Sequence, residues 1–297
     1  MILRSVGALA LLVTSIFSGC ISHTAQLTQD QIPLKADTIA KSELLRRLTT
    51  NSLAIKTLYV SKSTLRASRM LSNETIKSYH DVTGIIAVDR PGHLRLEIEK
   101  FTTLALMVSD DKQYFVSVPP EAKFGVGEVA APVRGAEFPY NLRPSHILDA
   151  LFVDGEQFVG KDGINSVITV FSEPKPDGLH SYYVVLFQKT GKSPGDLVPL
   201  EALTFDRTLG VEEVVRKVTF MPDGEPEADI RYSNYQMVGN ISFPRKIVIQ
   251  RPIENYSLEM IIEKLEFNKA LDASTFKLER PSGVDEVDLN TGKDIKP

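Results

Sequence analysis

Few residues in this 297-residue chain are placed to do chemistry. Cysteine occurs once, at Cys20, so no internal disulfide can form and no C-x-x-C pair can hold a metal. The histidines His23, His80, His93, His146 and His180 are scattered, and none falls in an H-x-x-x-H or H-E-x-x-H spacing. The run "SHILD" supplies Ser145, His146 and Asp149, the residue types of a hydrolytic triad. Neighbouring side chains on a helix do not face each other, so Ser145 is expected to cap a helix rather than act as a nucleophile. "GVG" at Gly125 to Gly127 lacks the third glycine and the following helix of a dinucleotide-binding loop, and reads as a loop. Asp110 and Asp111 fall in a tight turn, where solvated carboxylates are ordinary. Nothing singles out a pair of acids for glycosidase chemistry. No catalytic residue, cofactor or metal ion is expected, and the chain is not read as an enzyme.

Cys20 itself sits at the end of the most apolar stretch. Arg4 forms a short positive region, and Val6 to Phe17 is an apolar run of 12 residues, too short for a transmembrane helix, which needs roughly 20. The residues "FSGC" that follow resemble the bacterial lipobox, with Phe17 standing where leucine is usual. The resemblance implies removal of residues 1–19 as a signal peptide by cleavage between Gly19 and Cys20. It also implies a diacylglycerol on the Cys20 thiol and a fatty acyl group, such as palmitate, on the new amino terminus. Each buried methylene contributes about 0.8 kcal/mol, and two chains suffice for stable anchoring. Ile21, rather than Asp, after the cysteine implies the outer membrane under the sorting rule of enteric bacteria. The expected location is therefore the cell envelope, on the periplasmic face of the outer membrane. Residues 20–35 read as a tether, polar and aperiodic with Pro33, whose typical reach is roughly 20 Å.

The remainder must fold. Net charge is −4 with acids and bases interspersed, so the basic stripe that nucleic acid requires is missing. The stretch 37–58 begins with a candidate cap at Asp37 or Thr38 and spaces Ile39, Leu44, Leu45 and Leu48 as one amphipathic helix. The apolar period then switches to two. In "GHLRLEIEK", Leu94, Leu96 and Ile98 share one face. Turn signals at 89–92 and 109–112 divide successive strands into an antiparallel meander. "NLRPSHILDALF" interrupts it with a second helix, Pro144 suiting the first turn. Strands then resume to residue 267, and "SYYVVLFQ" is apolar on both faces. In the last of these strands the apolar parity slips near Glu263–Lys264, which implies a bulge. The expected fold is mainly β (α+β), with about a dozen strands in a single curled antiparallel sheet. The sheet forms an incomplete barrel lidded by an N-terminal helix and an inserted helix. Residues 36–284 form this domain and 285–297 a C-terminal tail.

The stretch "GIIAVDRPGHLRLEIEKFTTLALMVSDDKQYFVSVPPEAKFGVG" and the tail "LEFNKALDASTFKLERPSGV" resemble the lipoprotein carrier and receptor family of LolA and LolB. The second matches the family's closing pattern on Asn268, Leu271, Phe276, Leu278, Pro281 and Gly283. The resemblance implies a concave apolar face that accepts acyl chains. It also implies an exposed apolar residue between two early strands, here Phe101, although the usual Pro-Gly of that loop is absent. The expected ligand-binding residues are Leu94, Leu96, Ile98, Phe101, Leu104 and Leu106. The expected partners are the membrane, through lipidated Cys20, and an acyl chain, lipid or lipoprotein to be localised or transported. The alternative is a non-catalytic structural or envelope-assembly lipoprotein that uses the scaffold for protein contacts. Replacing Cys20 by Ser is expected to move the protein from the membrane pellet to the soluble fraction of lysed cells; retention in the pellet refutes the anchor.

Overall fold

The computed structural model describes residues 28–70, 76–130, 140–191, 193, 196–208, 213–291 and 293–295. Cys20, Gly19, the signal segment and the first part of the expected tether lie outside these residues. Among the described residues, two helices, α1 (Lys41–Leu53) and α2 (Pro144–Leu151), accompany one sheet of fifteen strands. The first meander is β1 (Thr57–Met70), β2 (Ile76–Asp89), β3 (His93–Lys100), β4 (Thr102–Ser109), β5 (Gln113–Val118) and β6 (Lys123–Glu128). After α2 comes the second: β7 (Ile164–Lys175), β8 (Gly178–Thr190), β9 (Leu197–Asp206), β10 (Val214–Phe220), β11 (Pro226–Val238), β12 (Ile241–Arg251) and β13 (Tyr256–Phe267). The short strands β14 (Asp285–Asp288) and β15 (Lys293–Ile295) end the chain.

Neighbouring strands run in the order β15-β14-β6-β5-β4-β3-β2-β1-β13-β12-β11-β10-β9-β8-β7, so the sheet is open, with β15 and β7 at its edges. Each meander is local, and the pair β1–β13 joins them. The expected parity slip is present: Leu258, Met260 and Ile262 face the core, and Leu265 and Phe267 continue in the other phase. Its counterpart is a bulge in β1 around Lys62, where the register shifts between Val60 and Ser63. The motif residue Asn268 fastens this junction. Its amide donates to the Ala54 carbonyl at the end of α1 (2.9 Å), and its Oδ1 accepts from the Lys56 N–H (2.8 Å).

Five features differ from the sequence reading. Helix α1 starts at Lys41 with Ala40 at its cap, because Asp37 is taken up in a backbone bond to Arg207, with its N–H donating to that carbonyl (2.9 Å). Helix α2 has Arg143 at its cap and Pro144 as its first residue, so Ser145 lies inside the first turn and does not cap. The tail adds β14, parallel to β6, and β15. Within the stretch read as tether, the Ile32 carbonyl accepts from Leu179 N–H (2.8 Å) and Leu34 N–H donates back to Leu179 (3.2 Å). Finally, Gly125 and Gly127 lie in β6 rather than in a loop.

Those two glycines answer to close packing. Tyr114 is fully buried directly opposite Gly127, and a Cβ there would come within 2.4 Å of its ring. A Cβ on Gly125 would meet Leu289 at 2.5 Å. Glycine in a strand here marks the approach of a neighbour, not a break. Gly127→Ala is expected to lower unfolding stability in urea by about 1–3 kcal/mol, the range for overpacking a filled site; an unchanged midpoint contradicts this packing.

Candidate functional site

The concave face carries the core and is divided in two. Across the second meander it is largely filled, leaving a groove of only about 50 Å³ bordered by Leu48, Leu151, Tyr232 and Phe243. Leu44, Leu45 and Leu48 of α1 and Ile147, Ala150 and Leu151 of α2 join one buried cluster with Val185, Phe187, Leu203 and Ile230. A buried ion pair sits on the same side: Lys217 Nζ lies 3.2 Å from Glu201, and Gln157 donates to that carboxylate at 2.7 Å. Burial pushes the carboxyls of Glu201 and Asp149 up from the ordinary acid range, partly offset in both by the Lys217 charge.

Across the first meander the face stays open. An apolar cavity of about 200 Å³ lies between β1 to β4 and β13. Its lining comes from Leu65 and Ala67 of β1, Val82 of β2, Leu258 of β13, and Ile98 with Leu104 of β3 and β4. Leu142, just before α2, contributes to the same wall, so the inserted helix borders the cavity. Gly84 leaves the space that Leu65 occupies, since a Cβ there would lie 2.6 Å from Leu65 Cδ1. The exposed Pro120 and Glu121 mark the mouth, with Tyr79 beside them. Glu121 accepts from the Tyr140 hydroxyl at 2.8 Å. Lys77 sits 5.3 Å above the Tyr79 ring, and its bond to the Tyr79 hydroxyl raises its pKa, Glu121 adding to the effect.

Among the described residues, the lining carries a single acid, at its rim, and no nucleophile paired with a base. It can bury hydrocarbon. A cavity of about 150 Å³ accepts benzene, so about 200 Å³ holds on the order of eight carbons. At about 0.8 kcal/mol per methylene, filling it is worth roughly 6 kcal/mol before association costs.

The expected residues separate. Ile98 and Leu104 line the cavity, while Leu94 and Leu96 are on the same inner side but fully packed in the core. Leu106 pairs with Glu97 on the opposite face, because a bulge at Leu104 shifts the parity of β4. Phe101 lies outside the cavity, fully exposed at the β3–β4 tip with φ +66°. Leu65, Ala67, Val82, Leu142 and Leu258 were not anticipated. The alternation of Leu65, Arg66 and Ala67 is the signal that could have found two of them.

Polar fasteners seat α2 beside the cavity. Buried Arg143 donates to the Tyr114 hydroxyl and to the Leu289 carbonyl (3.1 Å), with its guanidinium 4.9 Å from the Tyr114 ring. Asn141 donates to the Glu254 carbonyl at 3.1 Å. His146 Nδ1 lies 2.6 Å from the Tyr256 hydroxyl and 3.4 Å from the Arg143 N–H. Burial keeps Tyr256 protonated, so both neighbours donate and Nδ1 is a bare acceptor. Burial, reinforced by the charges of Arg251 and Arg143, holds the His146 pKa well below its ordinary value.

An open, curled antiparallel sheet with helices on its concave side and an apolar cavity defines a half-barrel. No family model matches the chain, and no curated protein sequence does. Among solved structures, the chain is similar in fold to a DUF1329 family protein from Desulfovibrio piger, with a TM-score of 0.52 and 13% identity over 80% of this chain and 95% of that one. Also similar are a LolA superfamily protein from Nitrosomonas europaea (TM-score 0.48, 11% identity, 81% and 99% covered) and a candidate outer membrane lipoprotein-sorting domain from Vibrio parahaemolyticus (0.46, 10%, 80% and 97%). At such identities the likeness is one of fold.

Neutral His146 makes α2 acid-sensitive. Below the unfolded-state histidine pKa of about 6.5, the unfolded chain binds a proton that the native site refuses. Stability then falls with pH, by up to about 1.4 kcal/mol per unit for one proton. Raised Asp149 and Glu201 act in the opposite sense, so the comparison with His146→Gln isolates the histidine. Urea midpoints between pH 7.5 and 5 are expected to fall more steeply for the wild type than for His146→Gln; parallel curves refute the assignment.

Proposed function

We propose that this chain is a lipid-anchored envelope protein whose half-barrel binds an acyl chain, borne by a lipid or a lipoprotein, without transforming it. The observation that carries the reading is the apolar cavity beside α2, open to solvent at Glu121 and lined, among the described residues, mainly by aliphatic side chains. The lipobox-like "FSGC" supports the anchor, and the outer membrane follows if the Ile21 sorting rule applies. The fold neighbours support the same direction, since two are described as a LolA superfamily protein and a lipoprotein-sorting domain. The cavity holds only the end of a chain. The ligand's head and its remaining methylenes lie outside, near Tyr79, Lys77 and Glu121, where an ammonium and a carboxylate can meet a polar group.

The test uses the Cys20→Ser chain and a fluorescent fatty acid. Saturable uptake is expected, weakened about tenfold or more by Ala67→Phe, which places a ring in the space meant for the ligand. Circular dichroism of both proteins separates lost binding from lost folding. Equal uptake by two folded proteins, or no uptake by either, overturns the reading.

A further inference from the structure

We propose that the domain rests on its anchoring bilayer by the edge strand β7, leaving Phe101 on the margin turned away from that membrane. The inference rests on the lipidation of Cys20 proposed above. The first argument is reach. Eight residue steps separate Cys20 from Thr28, and at about 3.6 Å each they span at most about 29 Å. The bilayer therefore lies close to wherever Thr28 is held. Residues 32–34 pair in parallel with the start of β8, so the chain enters at the margin that carries the β7–β8 turn.

The second argument is strand direction. From β3 to β8 every neighbouring pair is antiparallel, through eight steps, so β3 and β8 run the same way. Phe101 follows the end of β3 and Gly178 opens β8, which puts them on opposite margins. The 13 residues of β8 cover about 43 Å along the strand, or about 30 Å of height at a barrel-like tilt. A tether this short brings the β7–β8 margin to the bilayer at any moderate extension, and the Phe101 margin only if it runs back fully stretched along the domain.

The third argument is the surface beside this margin, along the outer edge of the strand that leads into the turn. Among the described residues β7 has no strand on its outer side, and Ser166 to Ser172, "SVITVFS", is uncharged. Ile168 and Val170 on one face and Val167 and Phe171 on the other are 37–52% exposed, and Ile32 nearby is 49% exposed. Phe171 is stacked on Tyr182 at 4.8 Å, but a long apolar edge of this kind is a template for unwanted pairing unless something covers it. Lys41 covers part of it, donating to the Ser166 carbonyl at 2.8 Å. The headgroup layer can cover the rest. It accepts apolar and aromatic side chains while still hydrating unpaired backbone groups, which the hydrocarbon core cannot do. The contact is therefore shallow.

The chain has no tryptophan, so one introduced residue reports alone. Full-length lipidated Phe171→Trp, Val170→Trp and Phe101→Trp are reconstituted in phosphatidylcholine–phosphatidylglycerol vesicles with and without brominated acyl chains. Tryptophan at 171 and at 170 is expected to lose about a third or more of its emission, and tryptophan at 101 almost none. Quenching at 101 alone, or at none of the three, overturns the docking surface. So does cross-linking of Phe171→Cys to a second copy, which would give the edge to a dimer. Whether the wild-type protein pellets and Cys20→Ser does not is read separately. Failure there removes the anchor, whereas a pelleted, unquenched protein removes only the surface.

Discussion

The pairing of β1 with β13 joins residues nearly two hundred positions apart, and most of the architecture follows from it. Each meander can assemble from neighbouring hairpins, but alone each would leave a long unpaired strand in the middle of the molecule. Their union brings Leu65 and Ala67 beside Leu258, and so creates the lining of the cavity. It also demands a correction of phase. The bulge around Lys62 and the slip at Glu263–Lys264 turn both strands together, so that inward residues stay inward along a curled sheet. The loop-closure entropy of such a separation grows only slowly with length, yet the pairing yields nothing until both meanders exist. Asn268, bridging the end of α1 and the start of β1, secures the last step of that closure.

The two halves of the concave face then meet different fates. Over β8 to β12 the helices fill most of the curl, leaving a groove of about 50 Å³ against about 200 Å³ on the other half, and the ion pair of Lys217 with Glu201 is enclosed with them. Charges enclosed in this way are a cost that only good partners offset, and losing one partner leaves the other stranded. Nothing comparable intrudes between β1 and β4, where Ile98, Leu104 and Val82 are left with an unfilled space among them. The asymmetry separates a half that stabilises from a half that can receive a ligand.

Much of this was legible in the chain. Period-two alternation in Leu94, Leu96 and Ile98, the turns at 89–92 and 109–112, and Pro144 at a helix start all behave as local rules require. The parity slip in β13 was visible because its inward residues are large and aliphatic. The same event in β1 was not, since Ser63 and Ala67 occupy inward positions and the strand reads as polar. Leu106 was misplaced for a related reason, as one extra residue at Leu104 reverses the faces beyond it. "GVG" reads as a loop until Tyr114 and Leu289, distant in the chain, are known to lie over it. What sequence concealed was pairing across long separations. The cavity, built by four regions that meet only in the fold, was concealed with it.

Among the described residues the sheet does not close: β7 and β15 remain separate edges, and hydrogen bonding alone does not fix its circumference. In a sealed barrel, strand number and stagger set the bore. Here that task falls to α2, whose fasteners run from Tyr114 on β5 through Tyr256 on β13 to Lys217 on β10, where Lys217 Nζ donates to the Asp149 carbonyl. An eight-residue helix thus acts as the gauge of the molecule. On the proposed reading, tolerance for thicker or branched hydrocarbon is written in the side chains that hold this strut, and substitutions there would retune calibre while leaving the lining untouched.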